Sequence, residues 1–408
     1  MNLYIFNETR RGTVYGIGTY IRELVIALKK SNINICVVNL ISEKPQILME
    51  EIAGIQYWYF PGPIPEPRTL DHHEQRQMYL HNIVYLLQLN IKNKKDLIFH
   101  LNFPQCGCLI EELKNTFECK VISVVHFSNW GFFIFDNLKR LRRILNNKQL
   151  SCFDQEVKKS IEEEKMNYLK VDNCICLSKY MSKILSFDYG IDKKNISIIP
   201  NGLTDVFDPS KDVNLLRKKW HIQSQDKIIL FVGRVDDIKG VTYLIKAFRK
   251  ILKSSKNVRL VIAGGGDFDK YFLEAKDICT KITFTGFLNK DELNELYRIA
   301  NVGVIPSIFE PFGYVAVEMM IHELPIVVTA TSGLNEVVDN TCGLKVSLTR
   351  LSDCVEVNTS ILAQKILYLI QNPIEAKKMG KSGRIRYLKK YSSEIFGRNM
   401  INFYSSLL

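Results

Sequence analysis

No run of 18 apolar residues occurs in the 408-residue chain, so a membrane-spanning helix is not expected. No charged-then-apolar leader precedes the first apolar strand, and the chain reads as cytoplasmic with reduced thiols. Its ten cysteines are scattered. The close pairs, Cys106-Gly-Cys108 and Cys174-Ile-Cys176, lack the two-residue spacer usual for zinc. Most cysteines therefore read as small buried hydrophobes, and no metal site is expected. The adjacent His72 and His73 suit no single metal and read as surface or helix-start residues. Arginine–aromatic repeats and zinc-finger spacing are also missing, which argues against nucleic acid.

The chain does carry a positive balance, with 55 Lys and Arg against 43 Asp and Glu, a net charge of +12. That favours an anionic partner such as a nucleoside diphosphate or an anionic membrane, although most of the charge reads as a solvated Lys-rich surface. The length suits two domains of roughly 200 residues each, and 46% hydrophobic residues are ample for two cores.

The most informative stretch is Pro306-Ser-Ile-Phe-Glu310-Pro-Phe312-Gly313-Tyr-Val-Ala-Val-Glu318. The short apolar run 301–305 before it suits a buried parallel strand. The run after it, from Tyr314 to about His322, suits a helix. The loop between them lies at the carboxyl end of a strand, where open α/β sheets bind ligands. Pro311 biases Glu310 towards extended backbone, which lets its carboxylate face a crevice. Gly313 opens the helix, whose free N–H groups favour phosphate, and Glu318 follows early in that helix. The plain alternative is a helix start with acidic residues near its positive end.

A second strand, 228–232, leads into Gly233-Arg234-Val-Asp-Asp-Ile-Lys239-Gly240 and a helix to about Lys253. A guanidinium fork and an ammonium flanking one strand-to-helix turn can neutralise a diphosphate. Near the amino end, strand 2–6 runs into Tyr15-Gly16-Ile-Gly18-Thr-Tyr20 and a helix to about Lys30. A glycine loop opening a helix admits a diphosphate, and a tight turn explains it equally well. His126 closes a β-branched strand, 120–125, and so lies on the ligand edge of the first half. Strands are also expected at 33–40, 55–60, 97–101, 171–177 and 196–199. Residues 61–67, rich in proline, read as a loop. The connection at 205–212 reads as the crossing between domains, and long helices are expected over 360–388 and 394–407.

Residues 138–148 place Lys139, Arg140, Arg142, Arg143 and Lys148 beside Leu138, Leu141, Ile144 and Leu145. This is a basic amphipathic helix, either an ordinary surface helix or a face for anionic lipid, which would make the protein peripheral on the inner membrane face.

These motifs together resemble retaining glycosyltransferases of the GT-B family-4 type. The resemblance is motif-rich from Ile196 to Val338 and thin from Ile41 to Leu150. It implies an α/β fold of two Rossmann-like domains facing across a cleft: residues 1–203 on the acceptor side, 204–390 holding the donor, and a last helix, 391–408, packing back on the first domain. It implies transfer of a hexose from a UDP- or GDP-linked sugar to a hydroxyl of a glycan, lipid-linked or peptide acceptor, with no cofactor and no essential metal. Family roles would fall on His126 and Glu310 at the sugar, Arg234 and Lys239 at the phosphates, and Glu318 at the ribose. Leu288 would meet the base, and Gly16, Gly18, Phe312 and Gly313 would line the donor site. Two departures stand out. Phe127 follows His126 where many members have Asp, and Glu323 stands where the family has Gly at a helix end. A nucleotide-sugar epimerase, or a non-catalytic nucleotide-sugar-binding protein, would share the fold.

Overall fold

The computed structural model describes the backbone of residues 1–8, 16–63, 72–103 and 106–408 and, His72 and His73 apart, their side chains. Tyr15, the end of the proline-rich loop, and the side chains of His72 and His73 lie outside the described residues. The chain forms two compact units. The first comprises Met1–Ser128, Leu150–Gly202 and Ser393–Leu408, and the second Asn129–Gln149 and Leu203–Ser392.

The first unit is built on β1 (Asn2–Glu8), β2 (Asn34–Ser42), β3 (Leu48–Ile52), β4 (Ile55–Pro61), β5 (Leu97–Leu101), β6 (Cys119–Val125), β7 (Asn173–Cys176) and β8 (Ile196–Ile198). Their order is β3-β4-β2-β1-β5-β6-β7-β8. Every pairing is parallel except β3 with β4. The central strands are near-continuous runs of buried residues, as parallel strands covered on both faces should be. β3 was not expected, because Leu-Met-Glu-Glu-Ile carries two adjacent acids and neither alternates nor forms an apolar run. It is held by a two-residue turn in which Ala53 and Gly54 both have positive φ, 55° and 81°, the backbone of a tight hairpin.

The second unit is built on β9 (Lys227–Val232), β10 (Val258–Ala263), β11 (Ile282–Gly286), β12 (Val302–Ile305), β13 (Ile326–Thr329) and β14 (Gly343–Val346). The order β11-β10-β9-β12-β13-β14 is parallel throughout. It reverses direction between β9 and β12. Helix Val241–Ser254 covers one face with Leu244, Ile245, Phe248 and Ile251, all fully buried against Phe231, Leu260 and Ile262. An antiparallel pair, β15 (Leu348–Arg350) and β16 (Val355–Val357), follows.

The single helix expected over 360–388 is two helices, Thr359–Gln371 and Pro373–Lys390. Pro373 explains the break: it has no N–H to continue the first helix, and it suits the first position of the next. Helices Gly107–Thr116, Val213–Lys219 and Phe268–Glu274 were not expected. Val213–Lys219 and Phe268–Glu274 are short segments whose strongest signal is an N-cap, such as Asp212 accepting from the Asn214 N–H, whereas Gly107–Thr116 has no side-chain cap and is held by burying Leu109, Ile110 and Leu113.

Candidate active site

The strand order of the second unit reverses at β9 and β12, and such reversals open a crevice at the carboxyl ends of the strands. The loops leaving these two strands carry the residues singled out in the sequence. After β9, Asp236 accepts from the Lys239 N–H at 2.8 Å. Asp237 accepts from Lys270 Nζ at 2.6 Å and the Tyr271 hydroxyl at 2.8 Å. Led by the Lys270 hydrogen bond, these contacts lower the Asp237 pKa. The turn thus fixed ends at Gly240, which caps helix Val241–Ser254 with φ 72°. A Cβ at Gly240 would stand 2.1 Å from the Pro306 carbonyl oxygen, so the position requires glycine for both backbone and space.

The loop after β12 is tied to this turn by the Ile308 N–H on the Ile238 carbonyl, 2.7 Å. Thr329 and Thr331 donate from the next strand end to the Ser307 and Ile308 carbonyls. The Glu310 carbonyl accepts from the Leu334 N–H at 3.2 Å. Gly313, at φ 102°, caps helix Tyr314–Ile321. The loops therefore present two helix N-termini, with their unpaired N–H groups, at one sheet edge.

Between them Lys239 Nζ donates to Glu310 Oε2 at 2.5 Å, the two side chains being 20% and 17% exposed. The ammonium and carboxylate named separately from sequence are therefore one hydrogen-bonded pair. Arg234 is more open, 44% exposed, and lies 3.2 Å from Asp236 Oδ2. Glu318 accepts from the Tyr297 hydroxyl at 2.7 Å. The His322 Nδ1–H donates to the Glu318 carbonyl at 2.9 Å, and its ring packs tilted against Tyr297 at 5.2 Å. Burial holds His322 down to about 4. Leu288, half-buried, follows β11, and its neighbour Phe287 is 68% exposed. The Phe312 ring is 3% exposed and packs edge-on against Tyr314 and Tyr391. The ring therefore belongs to the core.

In the first unit, His126 follows β6. Asn102 donates to the Phe6 carbonyl at 3.0 Å, which fixes its amide so that Oδ1 accepts from His126 Nε2–H at 2.9 Å. His126 Nδ1 is then left as the unprotonated nitrogen. Tyr20 packs edge-on at 4.8 Å. Burial keeps the ring neutral, with its pKa lowered to about 3. Behind it, His100 bridges the hydroxyls of Tyr20 and Tyr404 at 3.3 and 2.7 Å. Gly16 and Gly18 form the first turn of helix Gly16–Leu28.

The sequence reading missed Tyr297, His100 and Asn102. Tyr297 was within reach, because it lies with Leu293, Leu296 and Ala300 on one helical stripe, and a buried tyrosine needs a partner for its hydroxyl. His100 and Asn102 flank a strand end and carry no local signal of their pairing.

Two Rossmann-like units, one with a basic–acidic pair between helix N-termini at its switch point, define the class of fold as a two-unit α/β protein. The family model described as Glycosyltransferase Family 4 matches residues 14–205, and that described as Glycosyl transferases group 1 matches residues 212–386. The chain belongs to this glycosyltransferase family, with the GT-B fold. An uncharacterised glycosyltransferase of Methanocaldococcus jannaschii is 34% identical over 238 residues, 53% of this chain and 59% of that one. The chain spans about half the length of the curated relatives it matches. Sucrose-phosphate synthase of Thermosynechococcus elongatus has the same fold, with TM-score 0.77 and 21% identity over 100% of this chain and 98% of that one. So does Anabaena HepE, solved in complex with UDP-glucose, with TM-score 0.72 and 14% identity over the whole of both chains.

Proposed function

We propose that the protein transfers a hexose from a UDP- or GDP-linked sugar to a hydroxyl acceptor, with retention of the anomeric configuration. The observation that carries this reading is the Lys239–Glu310 pair, placed between two glycine-capped helix N-termini at the switch point. A diphosphate entering there competes for Lys239 and takes contacts from Arg234 and from the helix N–H groups. Glu310, released from Lys239, accepts from sugar hydroxyls. Glu318, oriented by Tyr297, accepts from the ribose. Leu288 packs on the base. HepE, a relative in fold, holds UDP-glucose, which supports a uridine donor.

Retention fits attack from the face that the leaving group departs. The acceptor oxygen bonds to the anomeric carbon, the bond from that carbon to the phosphate oxygen breaks, and the phosphate oxygen takes the acceptor proton. No carboxylate of this site then acts as a nucleophile. The chain supplies position and positive charge, and Arg234 and Lys239 carry the leaving-group charge that a metal carries elsewhere.

A charge-assisted contact is worth roughly 1.5–3 kcal/mol. Lys239→Ala should therefore weaken UDP or GDP binding about ten- to a hundred-fold. Glu318→Gln should also weaken the free nucleotide, whereas Glu310→Gln should spare it and depress turnover. Calorimetry decides between these. Unchanged nucleotide affinity in both Lys239→Ala and Arg234→Ala would refute the phosphate site.

A further inference from the structure

Asn129–Gln149 precedes the second unit by more than fifty residues in the chain, yet it belongs to that unit. Its contacts gather on the loops of the candidate site. Gly131 lies so close to Phe309, the residue before Glu310, that a Cβ would stand 2.4 Å from the ring. Trp130 packs tilted on the same ring at 6.4 Å, and Phe132 meets it edge-on at 5.2 Å. Phe132 also faces Arg234, whose Cζ lies 6.0 Å from the ring centroid. One aromatic thus touches the loop after β12 and the loop after β9 together.

The far end of the segment is anchored. Asp136, fully buried, accepts from Ser332 Oγ at 2.9 Å, lies 3.2 Å from Thr331 Oγ1, and pairs with Arg350 at 3.4 Å. Asn137 donates to the Leu351 carbonyl at 2.8 Å, and Arg143 meets Asp353 at 2.8 Å. This anchoring explains why Trp130 and Ile134 are buried while Phe132 stays half-exposed beside the guanidinium.

We infer that Asn129–Gln149 is a strap that shapes the donor site, and that Phe132 is a positioning residue whose ring holds the Arg234 guanidinium towards the diphosphate. The inference rests on the phosphate reading of Arg234. Arg234 has a competing carboxylate, Asp236, 3.2 Å away. A guanidinium lying over an aromatic face keeps its planar fork available to phosphate oxygens. Without the ring, the pair with Asp236 alone sets where the guanidinium lies.

The test is a double-mutant cycle read by calorimetry with UDP or GDP, whichever the wild type binds more tightly. Phe132→Leu should weaken binding roughly two- to five-fold in the wild-type background. It should have no effect in Arg234→Ala, and Phe132→Tyr, which keeps the ring, should bind as the wild type does. Phe132→Met serves as a second aliphatic variant if Phe132→Leu does not fold. Equal losses in both backgrounds would reduce Phe132 to packing and overturn the inference, as would wild-type affinity in Phe132→Leu. An Arg234→Ala protein that binds as tightly as the wild type would refute the phosphate reading itself, and the inference with it.

Discussion

Glu323 sits in the left-handed backbone region, φ 55°, at the end of helix Tyr314–Ile321. The Leu324 N–H bonds to the Met319 carbonyl at 3.0 Å and the Glu323 N–H to the Met320 carbonyl at 3.2 Å. These two bonds make a Schellman ending whose left-handed position is normally glycine. Left-handed backbone costs a side-chain-bearing residue roughly 1–2 kcal/mol, partly offset by the greater unfolded freedom of glycine. Glu323→Gly should therefore raise stability by about 1 kcal/mol and Tm by roughly 2–4 °C. A melting point that stays level or falls would show that the Glu323 side chain offsets its own strain. His100 gives a second residue-scale prediction. Burial lowers it from 6.5 to about 3, so the unfolded chain binds a proton that the folded one refuses. Its contribution is complete above pH 6.5 and is lost as pH falls from there towards 3. Between pH 7 and 5 this amounts to roughly 2 kcal/mol. His100→Gln should reduce the slope of that part of the stability profile, which His126 and His322 share, and an unchanged slope in denaturant titrations would exclude His100 as a source. Lys239, Glu310 and Glu318 were legible because each sits a fixed step from a strand end or a helix start. Asp136 was not, because its partners Thr331 and Arg350 lie 195 and 214 positions away and nothing local distinguishes it from a surface carboxylate.

At the scale of elements, buried parallel strands were readable as apolar runs closed by Gly or Pro, and strand-to-helix loops as the places where such runs end. The edge strand β3 and the short helices were not, because their apolar residues are few and interrupted by charged ones, and their neighbours hold them in place. The basic helix Leu138–Asn146 shows a further limit. Its amphipathic pattern was read correctly, but its apolar side is spent within the second unit, where Leu141 and Ile144 are fully buried. Arg140 and Arg143 lie beside Asp353. Any contact with anionic lipid would thus have to be electrostatic, without inserted side chains. The anchor of the preceding segment makes the element-scale prediction. Asp136→Ala leaves Arg350 and Ser332 without their shared carboxylate, and breaking a buried pair from one side costs about 3 kcal/mol or more. Tm should fall by roughly 6–12 °C, with the loss confined to the second unit if the units melt separately. A change under about 1 kcal/mol, within the range of exposed pairs, would mean that the anchor lies elsewhere.

At the scale of the whole molecule, the chain has two Rossmann-like sheets, and each unit keeps its candidate residues at strand ends. Among the described residues no helix is long and apolar enough to cross a membrane. The site chemistry proposed for the second unit is electrostatic: it binds the diphosphate, steadies the charge on the leaving group, and leaves bond formation to the acceptor oxygen and the departing phosphate. That account needs neither a glycosyl-enzyme intermediate nor a divalent cation, and it fixes the configuration of the product. The most direct test supplies an α-linked nucleoside diphosphate hexose in excess chelator, with water as acceptor, and follows the first-formed sugar by proton NMR before it mutarotates. The account predicts the α anomer, at a rate the chelator does not change and that Glu310→Gln lowers. A β anomer as the first product would contradict it.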